Sequence, residues 1–280
     1  MRKIFAFLFL ISLVPAMLAG GRNESVIAEG WQFTKGASDA NTKWQNVAVP
    51  HDWAIYGPFD RSNDLQVVAV EENGETEKTV KTGRTGGLPY IGKGEYRTTF
   101  IVPEIAGKSV SLVFDGAMSN AHVEVNGKEV GHWAFGYNSF HFCIDDAVKA
   151  GENTLRVKLE NYPESSRWYP GAGLYRHVHL VVTDKIHVPV WGTYVTTPNV
   201  SAQHATVNVR TSIAGANKGD KIEVRTELVD ASGKVVGSNN TVYTAYPQQP
   251  AIQNISVEQP VLWSPENPYL YKVVTRLVKD

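Results

Sequence analysis

The sequence predicts an all-β protein built from two consecutive units. Three observations carry this. Apolar and polar residues alternate with period 2 in one short segment after another, as in "SVSLVFDG" (109–116) and "NTLRVKLEN" (153–161). Turn signals such as Asn126-Gly127 and Ser232-Gly233 separate the segments. After residue 21, nowhere do ten or more residues hold a 3.6-residue period.

The first 21 residues stand apart. Arg2 and Lys3 precede the apolar run "IFAFLFLISLVPAML", and the small residues Ala19, Gly20 and Gly21 follow. This is the pattern of a secretory signal peptide, and the run is short for a membrane span. The expected location is therefore secreted or periplasmic, with no membrane partner. A net charge of −1 and the lack of a basic block argue against nucleic acid. The acidic run Glu71, Glu72, Glu75, Glu77 reads as a solvated loop.

The first unit spans residues 22–184. "VAVPHDWAIYGPFD" (47–60) places His51, Asp52 and Trp53 at the end of a short strand, with Asp52 placed to cap a turn and Trp53 to fill core. The glycines of "TGRTGGLPYIGKGEYRTTF" (82–100) allow close backbone approach before a strand begins near Tyr96. Strands follow at 109–114 and 121–125, then the Asn126-Gly127 hairpin and "KEVGHWAF" (128–135). "GYNSFHFCI", "NTLRVKLEN" and "GLYRHVHLVV" continue the series, and "DDAVKAGE" forms one helical turn. Cys143 is the only cysteine, so no disulfide staples the chain, and its place opposite Phe140 and Phe142 makes it a small strand residue. His177 and His179 fall on one face of a strand; two half-exposed polar residues describe them better than a zinc pair.

The second unit spans 185–280. Six strands are expected, in "KIHVPVWGTYVTTPNV", "ATVNVRTSI", "KIEVRTELVD", "KVVGSNNTVYTAY", "IQNISVEQ" and "YLYKVVTRLV". Their spacing suits an immunoglobulin-like sandwich one strand short of seven, which would leave the last strand with an open edge and place the chain's end inside a domain.

The corner "SRWYPGAGLYRHVHL" (166–180) packs aromatic, proline, glycine and arginine residues before a strand. No phosphate loop, Gly-x-Ser-x-Gly or His-Glu-x-x-His motif occurs, so no cofactor and no metal are expected. Together with "PHDW" (50–53), "FDGAMSNAHVEVNGKEVGHWAFGYNSF" (114–140) and "LWSPENPYLY" (262–271), the corner "RWYPGAGLYR" resembles the front of glycoside hydrolase family 2, which includes β-galactosidases. The resemblance covers nearly everything after residue 21. It implies a jelly-roll sugar-binding domain, an immunoglobulin-like domain and then a (β/α)8 barrel that carries two catalytic glutamates. This chain resembles the first two parts, so none of its own carboxylates is assigned a catalytic role and the chain alone is expected to be inactive.

By the same resemblance, the corner lies where the jelly roll meets the barrel mouth. His51, Asp52, Trp53, Arg167, Trp168, Tyr169, Tyr175, Arg176 and His177 are the expected sugar-binding or barrel-contact residues. Arg176 can fork onto a carboxylate. Some β-galactosidases carry an aspartate where His177 stands. The implied partners are a β-galactoside or related glycan and the barrel. A stand-alone carbohydrate-binding sandwich is the alternative.

Overall fold

The computed structural model describes residues 21–279 apart from 58, 61, 62, 64, 69–78, 83–88, 91 and 163–170. The apolar leader, the acidic run, and the Arg167, Trp168, Tyr169 portion of the corner lie outside the described residues.

The chain is nearly all β, as alternation predicts. In the first unit the elements are β1 (Asn23–Val26), β2 (Trp31–Lys35), β3 (Gln45–Val47), α1 (Trp53–Tyr56), β4 (Leu65–Val68) and β5 (Thr79–Thr82). They continue with β6 (Lys93–Val102), β7 (Lys108–Phe114), β8 (Ala121–Val125), β9 (Lys128–Trp133), β10 (Phe140–Cys143), β11 (Gly151–Glu160) and β12 (Val178–Asp184). A four-stranded sheet in the order β1-β12-β7-β10 faces a six-stranded sheet, β3-β2-β6-β11-β8-β9, and among the described residues β4 pairs with β5 alone. The pairings are antiparallel.

The core follows from period 2. Tyr96, Phe100 and Val102 of β6, Val123 and Val125 of β8, and Leu155, Val157 and Leu159 of β11 point inward from the large sheet. Val110, Leu112 and Phe114 of β7 and Val178, Leu180 and Val182 of β12 meet them. Phe114 stacks on Phe140 with ring centroids 4.8 Å apart. Each such side chain contributes roughly 1.5–3 kcal/mol by leaving water. Asn126 and Gly127 take φ of +52° and +78°, the pair of left-handed positions that a two-residue hairpin between β8 and β9 requires.

On the outer face of the large sheet sits a charge network. Glu95 is buried, and Arg156 from β11 donates to its Oε2 through Nε at 3.1 Å and also through Nη2. Ser38 adds its amide at 3.1 Å and its hydroxyl at 2.9 Å. Burial pushes the Glu95 carboxyl up, but the bonds from Arg156 and Ser38 outweigh it and hold the group below the usual glutamate range. A carboxyl depressed in the folded state contributes stability above its unfolded value and loses it as pH falls through the folded one. Glu95→Gln should therefore flatten the acid limb of a stability–pH curve. It should cost about 1–2 kcal/mol at neutral pH, because Arg156 is partly solvated. Urea melts at stepped pH check this.

The second unit holds β13 (Thr193–Val200), β14 (His204–Thr211), β15 (Lys221–Val229), β16 (Val235–Thr244), β17 (Ala251–Glu258) and β18 (Lys272–Val278). The sheets are β13-β14-β17 and β16-β15-β18. Its apolar centre is small: Val207, Val209, Leu228, Ile255 and Val257, with Val236 and Val273 against it. A buried amide supplements it. Gln253 of β17 accepts from the Thr226 hydroxyl at 2.6 Å and donates to the carbonyls of Val224 at 2.9 Å and Asn239 at 3.0 Å, so one satisfied side chain ties the two sheets together.

Two expected strands begin late. Residues 185–192 are not a strand. The Pro189 carbonyl accepts from the Gly192 amide at 2.9 Å, and Trp191 sits at φ +56°, which turns the chain before β13. Residues 269–271 also stay outside β18, because the Tyr269 amide folds back onto the Asn267 carbonyl at 2.8 Å. β18 pairs with β15 on one side, and among the described residues no strand lies on its other side. Alternate amides of residues 272–278 should then exchange with solvent quickly. Uniform protection from 269 to 278 would contradict this open edge.

Candidate functional site

The corner is assembled from four backbone segments at one end of the first unit. The first is the "PHDW" turn. The His51 amide donates to the Leu174 carbonyl at 2.7 Å, which joins this turn to the corner's own segment. Asp52 is extended, with φ −117°, and caps the single turn of α1. Its Oδ1 accepts the amides of Ala54 at 2.8 Å and Ala172 at 2.9 Å, so one oxygen clamps two segments 120 residues apart.

Beneath the turn, Trp53 is 1 % exposed and stacks on Phe33 with centroids 5.4 Å apart, while its indole N–H donates to the Tyr90 carbonyl. Trp53 is thus a core residue that holds the turn from below. Gly94 is required there, since a Cβ would sit 2.5 Å from the Trp53 ring. His51 is also buried, with Nδ1 2.7 Å from the Tyr96 hydroxyl. Burial lowers the His51 pKa, favouring the neutral ring, and raises that of Tyr96.

The second segment is 116–120, which meets the corner through reciprocal amide–carbonyl bonds of 3.0 Å between Met118 and Gly173. Gly173 adopts φ +94°, a positive angle that glycine takes without the steric cost of a Cβ. The third is 160–162, where buried Asn161 donates from Nδ2 to the Gly171 carbonyl at 2.9 Å. The fourth is 135–137, and the Tyr175 hydroxyl donates to the Gly136 carbonyl at 2.7 Å.

Of the expected site residues, Asp52, Tyr175, Arg176 and His177 reach the surface of this assembly, and His51 and Trp53 lie under it. Arg176 is exposed, with its guanidinium over the Tyr175 ring at 5.4 Å. Its only described hydrogen bond runs from Nη1 to the Asp115 carbonyl at 3.4 Å, and no carboxylate among the described residues pairs with it. His177 is exposed, whereas His179 turns to Asp115 at 2.9 Å and Glu24 at 3.4 Å. Among the described residues no cluster of three metal-ligand side chains forms.

Sequence reading passed over the apolar side chains around this frame. Ile55 and Tyr56 are about two-thirds exposed or more, at 67 % and 72 %, and Phe59, Phe135, Tyr137 and Tyr162 are also exposed. Tyr56 stacks flat on His51 at 5.3 Å. A signal was present in "AFGYN": two aromatics flank a glycine just past a strand end, where alternation with a core face has already stopped. The result is a corner whose backbone is rigidly bonded and whose surface is aromatic. It can dock a partner and present Arg176 and His177. Asp52, its central carboxylate, is occupied by amides.

Comparison with known proteins agrees with this architecture. Residues 88–169 match the family model described as the glycosyl hydrolase 2 galactose-binding domain-like, and residues 186–280 match that of glycosyl hydrolases family 2. The chain is 33 % identical over 276 residues to the β-galactosidase BoGH2A of Bacteroides ovatus, covering 94 % of this chain and 30 % of that protein. It is 33 % identical over 255 residues to a protein named putative β-glucuronidase of Formosa agariphila, covering 90 % of this chain and 22 % of that protein. A solved structure of a glycosyl hydrolase family 2 member from Bacteroides cellulosilyticus superposes with a TM-score of 0.77 at 32 % identity, over 92 % of this chain and 33 % of the other. The chain spans about a third or less of the length of these relatives. Two matched family regions in order, two antiparallel sandwiches and relatives aligned along almost the whole chain place this protein in glycoside hydrolase family 2.

Proposed function

We propose that this chain is the non-catalytic N-terminal portion of a secreted, β-galactosidase-like family 2 enzyme. In this reading residues 22–184 form a jelly-roll domain and residues 185–280 an immunoglobulin-like domain. The corner orients a catalytic barrel and forms one wall of its sugar pocket. The observation that carries the proposal is the aromatic surface of the corner. Tyr56 and Phe135 are large, exposed and set on a backbone held by at least five hydrogen bonds from distant segments. Exposed aromatics on a rigid frame are the anchors of protein–protein contacts. Arg176 and His177 are exposed on the corner's own segment, with donors to spare for a carboxylate or sugar hydroxyls.

Adding a separately produced family 2 barrel to the chain should restore hydrolysis of a nitrophenyl galactoside. The double substitution Tyr56→Ser with Phe135→Ser should weaken the restored activity about tenfold or more at limiting concentration, since each anchor contributes about 1–2 kcal/mol to an interface. Its melting temperature should fall only slightly, because both side chains are largely exposed and of the two only Tyr56 gives up the stack on His51. A barrel that binds tightly yet gains no activity would show that the corner docks but does not line the pocket.

A further inference from the structure

The outer face of the large sheet carries a feature that the corner does not explain. The strand registers line up one transverse row: Asn46 opposite Gln32, Gln32 opposite Arg97, Arg97 opposite Arg156, and Arg156 opposite Glu124. Two arginines directly across from each other destabilise a sheet unless each is compensated. Arg156 is compensated by Glu95 and Ser38. Arg97 is not. Its Nε donates to Gln32 Oε1 at 2.8 Å, and its guanidinium lies 4.1 Å from the centroid of the Trp44 ring. No carboxylate among the described residues pairs with it, and its two terminal nitrogens have no described hydrogen-bond partner.

Gln32, Ser38, Trp44, Arg97, Glu124 and Arg156 line a groove of about 450 Å³. Trp44 forms one wall, Arg97 and Arg156 the floor, and Thr99 and Thr154 offer hydroxyls. Glu124 on the far side is paired with Lys158. Asp39 at the rim accepts from the Asn41 amide and the Thr42 hydroxyl. None of the corner residues lines the groove. The size suits one or two sugar rings. The composition suits a saccharide: the Trp44 indole for an apolar ring face, the Thr99 and Thr154 hydroxyls for ring hydroxyls, and a pre-stacked guanidinium fork for a fixed anion.

We propose that this groove is a second saccharide-binding site, selective for a sugar residue that carries an acidic group, either a uronate carboxylate or a sulfate. Arg97 provides the charge-assisted fork, held in place by Trp44 and Gln32. Asn46 donates to nothing in the row but receives Gln32 Nε2 at 3.1 Å, which fixes the Gln32 oxygen toward Arg97. Neutral sugars would leave the guanidinium without its anion.

Titration calorimetry of the 280-residue chain tests this with three probes: trigalacturonate, a sulfated galactose disaccharide and neutral galactotriose. One of the two acidic probes should bind about tenfold or more tightly than the neutral one, and should weaken as salt is raised from low to physiological strength. Which acidic probe binds separates carboxylate from sulfate recognition. Arg97→Gln should lose about tenfold or more in affinity, and Trp44→Ala a similar factor, while Arg97→Lys, which keeps the charge without the fork, should lose less. Arg97 is exposed, so melting curves should show all variants folded. Equal binding of the neutral probe, no binding of either acidic probe at millimolar concentration, or full affinity in Arg97→Gln would overturn the proposal.

Discussion

Gly173→Ala should unfold the corner and take the first unit close to its stability limit. A Cβ at this position would lie 2.2 Å from the Tyr96 hydroxyl oxygen and 2.7 Å from the His51 carbonyl. Neither can yield easily, since Tyr96 is fully buried and His51 is fixed by its bond to Leu174. The φ of +94° adds the strain of a left-handed L residue. Overpacking and backbone strain together should cost about 4 kcal/mol or more. For a unit of this size that is a fall of about 10 °C or more in melting temperature. Gly107→Ala is the control. It has φ +69° but nothing within 4 Å of the added methyl, so it should cost only about 1 kcal/mol. Equal losses in the two variants would show that crowding at Gly173 is not what holds the corner.

Asp52→Ala should be the other severe change, and Asp52→Asn a mild one. The alanine leaves the amides of Ala54 and Ala172 without an acceptor, at about 2–3 kcal/mol for the two together. Both amides meet the same oxygen, Oδ1, and asparagine keeps that oxygen. The charge itself is not the useful part. Burial lifts the Asp52 carboxyl above the usual aspartate range, only partly offset by the two amides. A carboxyl raised in the folded state contributes stability below its unfolded value and loses it as pH rises through the folded one. At neutral pH, Asp52→Asn should therefore equal or slightly exceed the parent in stability, and should lack the parent's decline as pH rises from the ordinary aspartate range through the raised folded-state value. Chemical denaturation of the three proteins at stepped pH decides it. If asparagine is as damaging as alanine, the carboxylate acts through its charge.

The core strands β6, β7, β8 and β11 were legible because each has one dry face. Val123 and Val125, or Leu155, Val157 and Leu159, are apolar at every second position because the opposite sheet excludes water from that side alone. The roles of Asp52 as a cap and Trp53 as core were legible for the same local reason, since a short acidic residue before an aromatic at a helix start has few other uses. What alternation could not show was direction and register. The segment 185–192 alternates like a strand, but Pro189 and Gly192 turn it, and only the backbone bonds reveal this. The aromatic surface at Tyr56 and Phe135 looks in sequence like more core, because hydrophobicity does not say which side chains find a neighbour within the chain. The row that brings Arg97 beside Arg156 exists only through cross-strand register, since the two lie 59 positions apart in the chain.

Hydrogen-exchange footprinting of the chain with and without a family 2 barrel puts the docking role of the corner to the most direct test. Amides at 51–57, 135–137 and 171–177 should slow on adding the barrel, while those around Arg97 on the outer sheet face keep their rates. Slowing confined to that outer face, with the corner unchanged, would contradict the account.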